Sequence, residues 1–131
     1  FQGLPREEHG DQNRASLQAD YSAVTAACMM VKKDVFDAVD GFTEKLQVAF
    51  NDVDFCLKVR KKGYLVMYDP KIEGYHYESK SRGAEDTPEK VRRFQGEIDT
   101  FRVLWKDILK DGDPYYNRNF SLVSNQYLLG K

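Results

Sequence analysis

A run near the middle of the chain, Phe50-Asn51-Asp52-Val53-Asp54-Phe55-Cys56-Leu57-Lys58-Val59-Arg60-Lys61-Lys62-Gly63, constrains the fold more than any other stretch. Val53, Cys56, Leu57 and the stem of Arg60 recur at three- and four-residue steps, which predicts an amphipathic helix opening at Asn51 or Asp52. Lys58, Lys61 and Lys62 fall outside that face, and the cations gather where the C-terminal end of the helix dipole favours them. Gly63 supplies the C-cap. Two carboxylates, Asp52 and Asp54, therefore stand at the helix mouth, where unpaired N–H groups and the positive end of the macrodipole favour a negative charge. A carboxylate placed in this way can act as a general base, and a histidine, His76, follows downstream.

The flanking segments predict an α/β chain with few strands, three or so helices and a long helix towards the C-terminus. Residues 4–20 are polar, carry Pro5 and Gly10, and show no period, which predicts a loop or flexible arm. Residues 21–31 are small and apolar and read as a buried strand. Val35, Phe36 and Val39 have helical spacing, with Asp34 in the first turn and Asp40-Gly41 as the stop. Residues 64–68 form a second strand closed by Asp69-Pro70, and residues 71–77 an extended segment that carries His76.

Thr87-Pro88-Glu89 combines a capping Thr, a proline at the first helical position and an acid in the first turn. Val91, Phe94, Ile98, Phe101, Leu104, Trp105 and Ile108 then recur at three- and four-residue steps, predicting the longest helix, which ends near Lys110 before Gly112. Phe94, Phe101 and Trp105 on this stripe read as core or subunit interface, not as a sugar-stacking platform. Residues 113–117 form a turn, and residues 120–131 an irregular tail.

At 131 residues the chain is one domain at most. Its 20 basic and 21 acidic residues argue against a dedicated nucleic-acid or membrane surface, and no apolar run reaches the length of a transmembrane segment. Cys28 and Cys56 sit in apolar patterns without metal-ligand spacing, so both are expected as buried, reduced thiols, pointing to the cytoplasm. Phe1-Gln2-Gly3 resembles the scar of a purification tag and is set aside.

Asn51-Asp52-Val53-Asp54-Phe55-Cys56-Leu57 resembles the acidic signature of bacterial family 2 glycosyltransferases, inverting enzymes with the GT-A fold that use nucleotide sugars. The order of the neighbouring segments is similar as well. Residues 23–31, then Val35-Phe36 and Asp40-Gly41-Phe42, resemble the strand, short helix and glycine turn ahead of that signature. His76-Tyr77-Glu78-Ser79-Lys80-Ser81-Arg82-Gly83 is similar to its histidine- and serine-containing segment. The likeness spans residues 4–119, and departs at Asp40, where the family usually has a second glycine.

The resemblance implies that residues 21–119 are the C-terminal, acceptor-side half of a partial GT-A catalytic domain, since such domains are roughly twice as long as this chain. No D-x-D motif stands ahead of Val24. The intact protein would transfer a sugar from a nucleotide-diphosphate donor to a saccharide acceptor with inversion, in cell-surface polysaccharide synthesis. It would reach the inner face of the membrane only through other parts. Within that scheme Asp52 is the catalytic base, and Asn51 and Asp54 bind the acceptor. Arg82 and Ser81 bind the donor diphosphate, and His76 meets a divalent cation, Mg or Mn. The fragment alone is expected to be inactive, to hold no metal and to self-associate through exposed apolar faces. Two other classes fit some of the residues: a non-catalytic assembly module derived from a transferase, and a metal-dependent hydrolase using Asp52, Asp54 and His76.

Overall fold

The computed structural model describes residues 5, 7–76, 87–123 and 127–130. Among the described residues the chain forms helices α1 (Lys33–Ala38), α2 (Asn51–Lys61), α3 (Pro88–Leu104) and α4 (Lys106–Asp111) and a small antiparallel sheet. Strands β1 (Ala19–Asp20) and β2 (Met67–Tyr68) pair Ala19 with Tyr68 and Asp20 with Met67. The chain is thus a partial α/β arrangement with its long helix towards the C-terminus. No helix among the described residues is long and apolar enough to cross a membrane.

Helix α2 lies between two apolar clusters. Phe55, Cys56 and Val59 pack with Val35 of α1, with Val39 just after it and with Val66, while Leu57 joins Leu46, Phe101 and Trp105 on the other side. A fully buried Leu, Val or Phe side chain stabilises a fold by about 1.5–3 kcal/mol, so an element anchored on two sides is fixed in both tilt and rotation. This two-sided burial exceeds the single apolar face that the sequence predicts. Lys58, placed by the sequence on a solvated face, is half-buried and donates to the Gly41 carbonyl and to Thr43 Oγ1.

Other expectations change as well. Residues 21–31 form no strand: only the Tyr21 N–H extends the sheet, donating to the Val66 carbonyl at 2.8 Å. Ala26–Cys28 instead form a single 3-10 turn, because Thr25 Oγ1 accepts from the Ala27 N–H at 3.3 Å and diverts the backbone from a ladder. Cys28 is exposed on that turn, unlike buried Cys56. The long helix also breaks at Trp105 (φ −117°, ψ 24°), whose indole turns into the core, and α4 resumes the path. The arm, finally, is held to the body. Residues Asp11–Ser16 make 3-10 turns, Tyr68 Oη donates to the Ala15 carbonyl at 2.9 Å, and Arg14 lies 5.7 and 4.4 Å from the ring centres of Tyr21 and Tyr127. In the tail, Phe120 and Leu129 form an isolated antiparallel bridge.

The stop after α1 shows how the chain tolerates Asp40. Asp40 takes a left-handed conformation (φ 55°), and its N–H donates to the Asp37 carbonyl while the Gly41 N–H reaches back to the Phe36 carbonyl. That is the Schellman arrangement, and aspartate is among the few non-glycine residues that visit this region readily. Gly41 is less replaceable: its φ is 57°, and an added Cβ would stand 2.7 Å from Phe36 Cζ. Gly41→Ala is expected to lower unfolding stability by about 1–3 kcal/mol, seen as a lower urea midpoint at unchanged slope.

Candidate functional site

The first turn of α2 is built from three sides. Phe50, just before it, has φ 62° and ψ 4°, a left-handed conformation that is costly for a bulky residue. Its ring is held by α3, with centroids 6.0 Å from Phe94 and 5.2 Å from Phe101. Asn51 Oδ1 then accepts the Asp52 N–H at 2.8 Å, and Asp52 Oδ1 accepts the Val53 N–H at 2.8 Å. Across the fold, Asp52 Oδ2 accepts the Ala26 N–H at 3.3 Å, which ties the 3-10 turn to the helix mouth. The Asp52 side chain is half-buried. A carboxylate offers about four acceptor positions, so both oxygens retain capacity for a further donor such as a hydroxyl.

Asp54, two residues on, points the other way and is 1 % exposed. Trp105 Nε1 donates to its Oδ1 at 2.9 Å, Thr43 Oγ1 donates to its Oδ2 at 2.7 Å, and Lys58 Nζ stands 3.6 Å from Oδ2. The sequence puts Asp54 with the acceptor; in the fold it is a buried link between α2, the loop before it and the start of α4.

His76 is exposed and lines a cleft of about 640 Å³. Thr25, Ala27, Cys28 and Cys56 line other parts of this cleft, with an apolar wall that includes Leu65 and Ile72. Asp52 is not among the described residues lining it, but accepts from the N–H of Ala26, which sits in sequence between the lining residues Thr25 and Ala27. Burial pushes the Cys56 thiol pKa up, and the nearby Asp52 charge adds to the effect. The Thr25–Ala27 turn thus touches both: its flanking residues line the cleft that His76 also lines, and its middle residue, Ala26, is bonded to Asp52. Arg82 and Ser81 lie outside the described residues.

Among the described residues no three His, Cys, Asp or Glu side chains come together in a way that could hold a metal ion. His76 alone is an insufficient ligand set, so the described residues do not fit a self-contained cation site.

The sequence reading passes over Glu97. It occupies α3 between Phe94 and Phe101, is 3 % exposed, and accepts backbone N–H groups from Gln47 and Val48 on Oε1 (3.1 Å each) and from Ala49 on Oε2 (2.9 Å). Arg93 Nε lies 3.8 Å from Oε1. The signal was present in the chain: a charge three residues after Phe94 and four before Phe101 interrupts an apolar stripe on the face that must be buried.

Comparison with known proteins gives relatives of much greater length. The chain is 49% identical over 126 residues to the uncharacterized protein y4gI of Sinorhizobium fredii, covering 95% of this chain and 14% of that protein. It is 31% identical over 105 residues to the O-antigen biosynthesis protein RfbC of Myxococcus xanthus, covering 80% of this chain and 8% of RfbC. It is also 31% identical over 62 residues to the N-acetylglucosaminyl-diphospho-decaprenol L-rhamnosyltransferase of Mycobacterium tuberculosis, covering 47% of this chain and 20% of that enzyme. The chain therefore spans a fifth or less of each of these relatives. The likenesses to RfbC and the rhamnosyltransferase support a glycosyltransferase-like family. No family model matches the chain, and no solved structure matches it.

Proposed function

We propose that this chain is the acceptor-side part of a larger inverting glycosyltransferase of the GT-A type, family 2, acting in surface polysaccharide synthesis. The observation that carries the reading is Asp52: a half-buried carboxylate on the first turn of α2, set by Asn51, Ala26 and Val53, within a segment that resembles the family's base-bearing signature. The similarity to RfbC and to the rhamnosyltransferase supports the same reading.

In the proposed reaction an acceptor hydroxyl attacks the anomeric carbon of a nucleotide-diphosphate sugar. Asp52 takes the hydroxyl proton as the new C–O bond forms, and the bond to the diphosphate breaks with its electron pair leaving on the nucleotide. Such general base assistance contributes about 10²- to 10⁴-fold in rate. Asn51 adjoins the same mouth and is assigned to the acceptor. Asp54, engaged by Trp105, Thr43 and Lys58, is assigned to holding α2 in place. His76, Ser81 and Arg82 are assigned to the donor diphosphate; a Mg or Mn ion there would need ligands beyond the described residues, and would neutralise leaving-group charge.

A single displacement fixes the stereochemistry. The full-length protein, supplied with UDP-glucose, UDP-N-acetylglucosamine, GDP-mannose or dTDP-L-rhamnose and a saccharide acceptor, is expected to give a glycoside of anomeric configuration opposite to the donor's. Proton NMR of the product reads this directly. Retention of configuration would overturn the role of Asp52 as a base in a single displacement.

A further inference from the structure

Two features of the loop before α2 remain unexplained by the proposed reaction. One is a buried carboxylate, Glu97, that accepts three successive backbone N–H groups, those of residues 47–49. The other is Phe50, held in a left-handed conformation beside the proposed base. Both are supplied from one face of α3, on which Phe94, Glu97 and Phe101 follow at steps of three and four, with Trp105 next along the chain.

Neither feature is what the loop would adopt by itself. A phenylalanine at φ 62° carries a strain of order 1–3 kcal/mol, and it persists only where the surroundings fix it. A buried carboxylate likewise needs hydrogen-bond donors, and the three amides supply them on both oxygens, with Arg93 Nε 3.8 Å from Oε1. The two grips act on consecutive residues. Glu97 holds 47–49, the Phe94 and Phe101 rings hold 50, and the next residues are Asn51 and Asp52. Lengthening or loosening either grip would move the first turn of α2 relative to the Ala26 amide that Asp52 accepts from.

We infer that Glu97 is a positioning residue for Asp52: by clamping the backbone of residues 47–49 it holds Phe50 in its strained conformation and so sets the angle at which the Asp52 carboxylate meets the acceptor hydroxyl. This rests on the reading of Asp52 as the base. A misplacement of about 1 Å in a reacting group costs as much as about 100-fold in rate, which is the range within which a positioning residue acts.

The test uses Glu97→Gln, Asp52→Asn and the double variant in the full-length protein, with turnover followed on whichever of the four nucleotide sugars above the wild type consumes. Glutamine keeps the size of the side chain but turns an NH₂ group towards at least one backbone N–H. E97Q is expected to lower kcat by roughly 10- to 100-fold with donor KM within about twofold and the binding stoichiometry of that donor's nucleoside diphosphate unchanged. In the D52N background the same change is expected to cost less than about twofold, because Glu97 acts through Asp52. An equal loss in both backgrounds would overturn the role of Glu97 and leave Asp52 as base. Full turnover by D52N alone would overturn both. If circular dichroism shows E97Q unfolded, Glu97→Asp, which keeps the charge and withdraws it by one methylene, replaces it, with a loss of about 3- to 10-fold confined to the Asp52 background. Equal loss in both backgrounds again overturns the proposal.

Discussion

Asp54→Ala is expected to destabilise the chain by about 3–5 kcal/mol, the range found when one partner of a buried charged network is removed. The carboxylate is 1 % exposed, and three donors depend on it. Its loss leaves the Trp105 indole N–H without its acceptor inside the core and removes the acceptor of the Thr43 hydroxyl, each worth about 1–3 kcal/mol when left unsatisfied. Lys58 is affected less, since its ammonium stands 3.6 Å away and still donates to the Gly41 carbonyl and Thr43 Oγ1. The thermal midpoint should fall by more than about 10 °C. Asp54→Asn, whose amide oxygen can still accept from the indole, should lose about half as much or less. A shift below about 3 °C for the alanine variant in thermal unfolding would mean that Asp54 does not hold α2 to the Trp105 segment.

That prediction also marks where the sequence stopped being informative. The start of α3 was legible because its signals are local: Thr87 Oγ1 accepts the Lys90 N–H at 3.3 Å, with Pro88 at the first helical position. The same holds for α2, whose opening at Asn51 and end before Gly63 follow from adjacent residues. Local pattern did not reveal that α2 is buried on two sides, because the second side is α3 and α4, some fifty positions away. Asp54 therefore read as a helix-mouth carboxylate like Asp52, although it belongs to Trp105, and Trp105 read as one more residue on a continuous stripe, although its indole ends α3.

The failed strand at residues 21–31 has a similar cause. Its apolar composition is compatible with a ladder, but the available partner is β1-β2, which takes up only Tyr21, and Thr25 caps a turn in its place. Of the candidate site, the half carried by Asn51 and Asp52 was legible from their place at the helix mouth. The other half was not. Glu97 is about fifty residues from the amides it clamps, and only its intrusion into the apolar stripe signals it.

The role of Asp52 is most directly tested by Asp52→Asn in the full-length protein. Asparagine is nearly isosteric, and its Oδ1 can still accept the Val53 N–H while its NH₂ replaces the acceptor of the longer, 3.3 Å bond from Ala26, so the first turn of α2 should keep its shape at the loss of that one tie. What it cannot do is take a proton from an acceptor hydroxyl. General base assistance accounts for about 10²- to 10⁴-fold in rate, so kcat for sugar transfer should fall by at least about 100-fold. The affinity for the nucleoside diphosphate of the consumed donor should stay within about twofold, because the donor diphosphate is assigned to other residues. Turnover within about threefold of the wild type, with the variant folded and binding the donor's nucleoside diphosphate, would contradict the reading and favour a segment kept for assembly without chemistry.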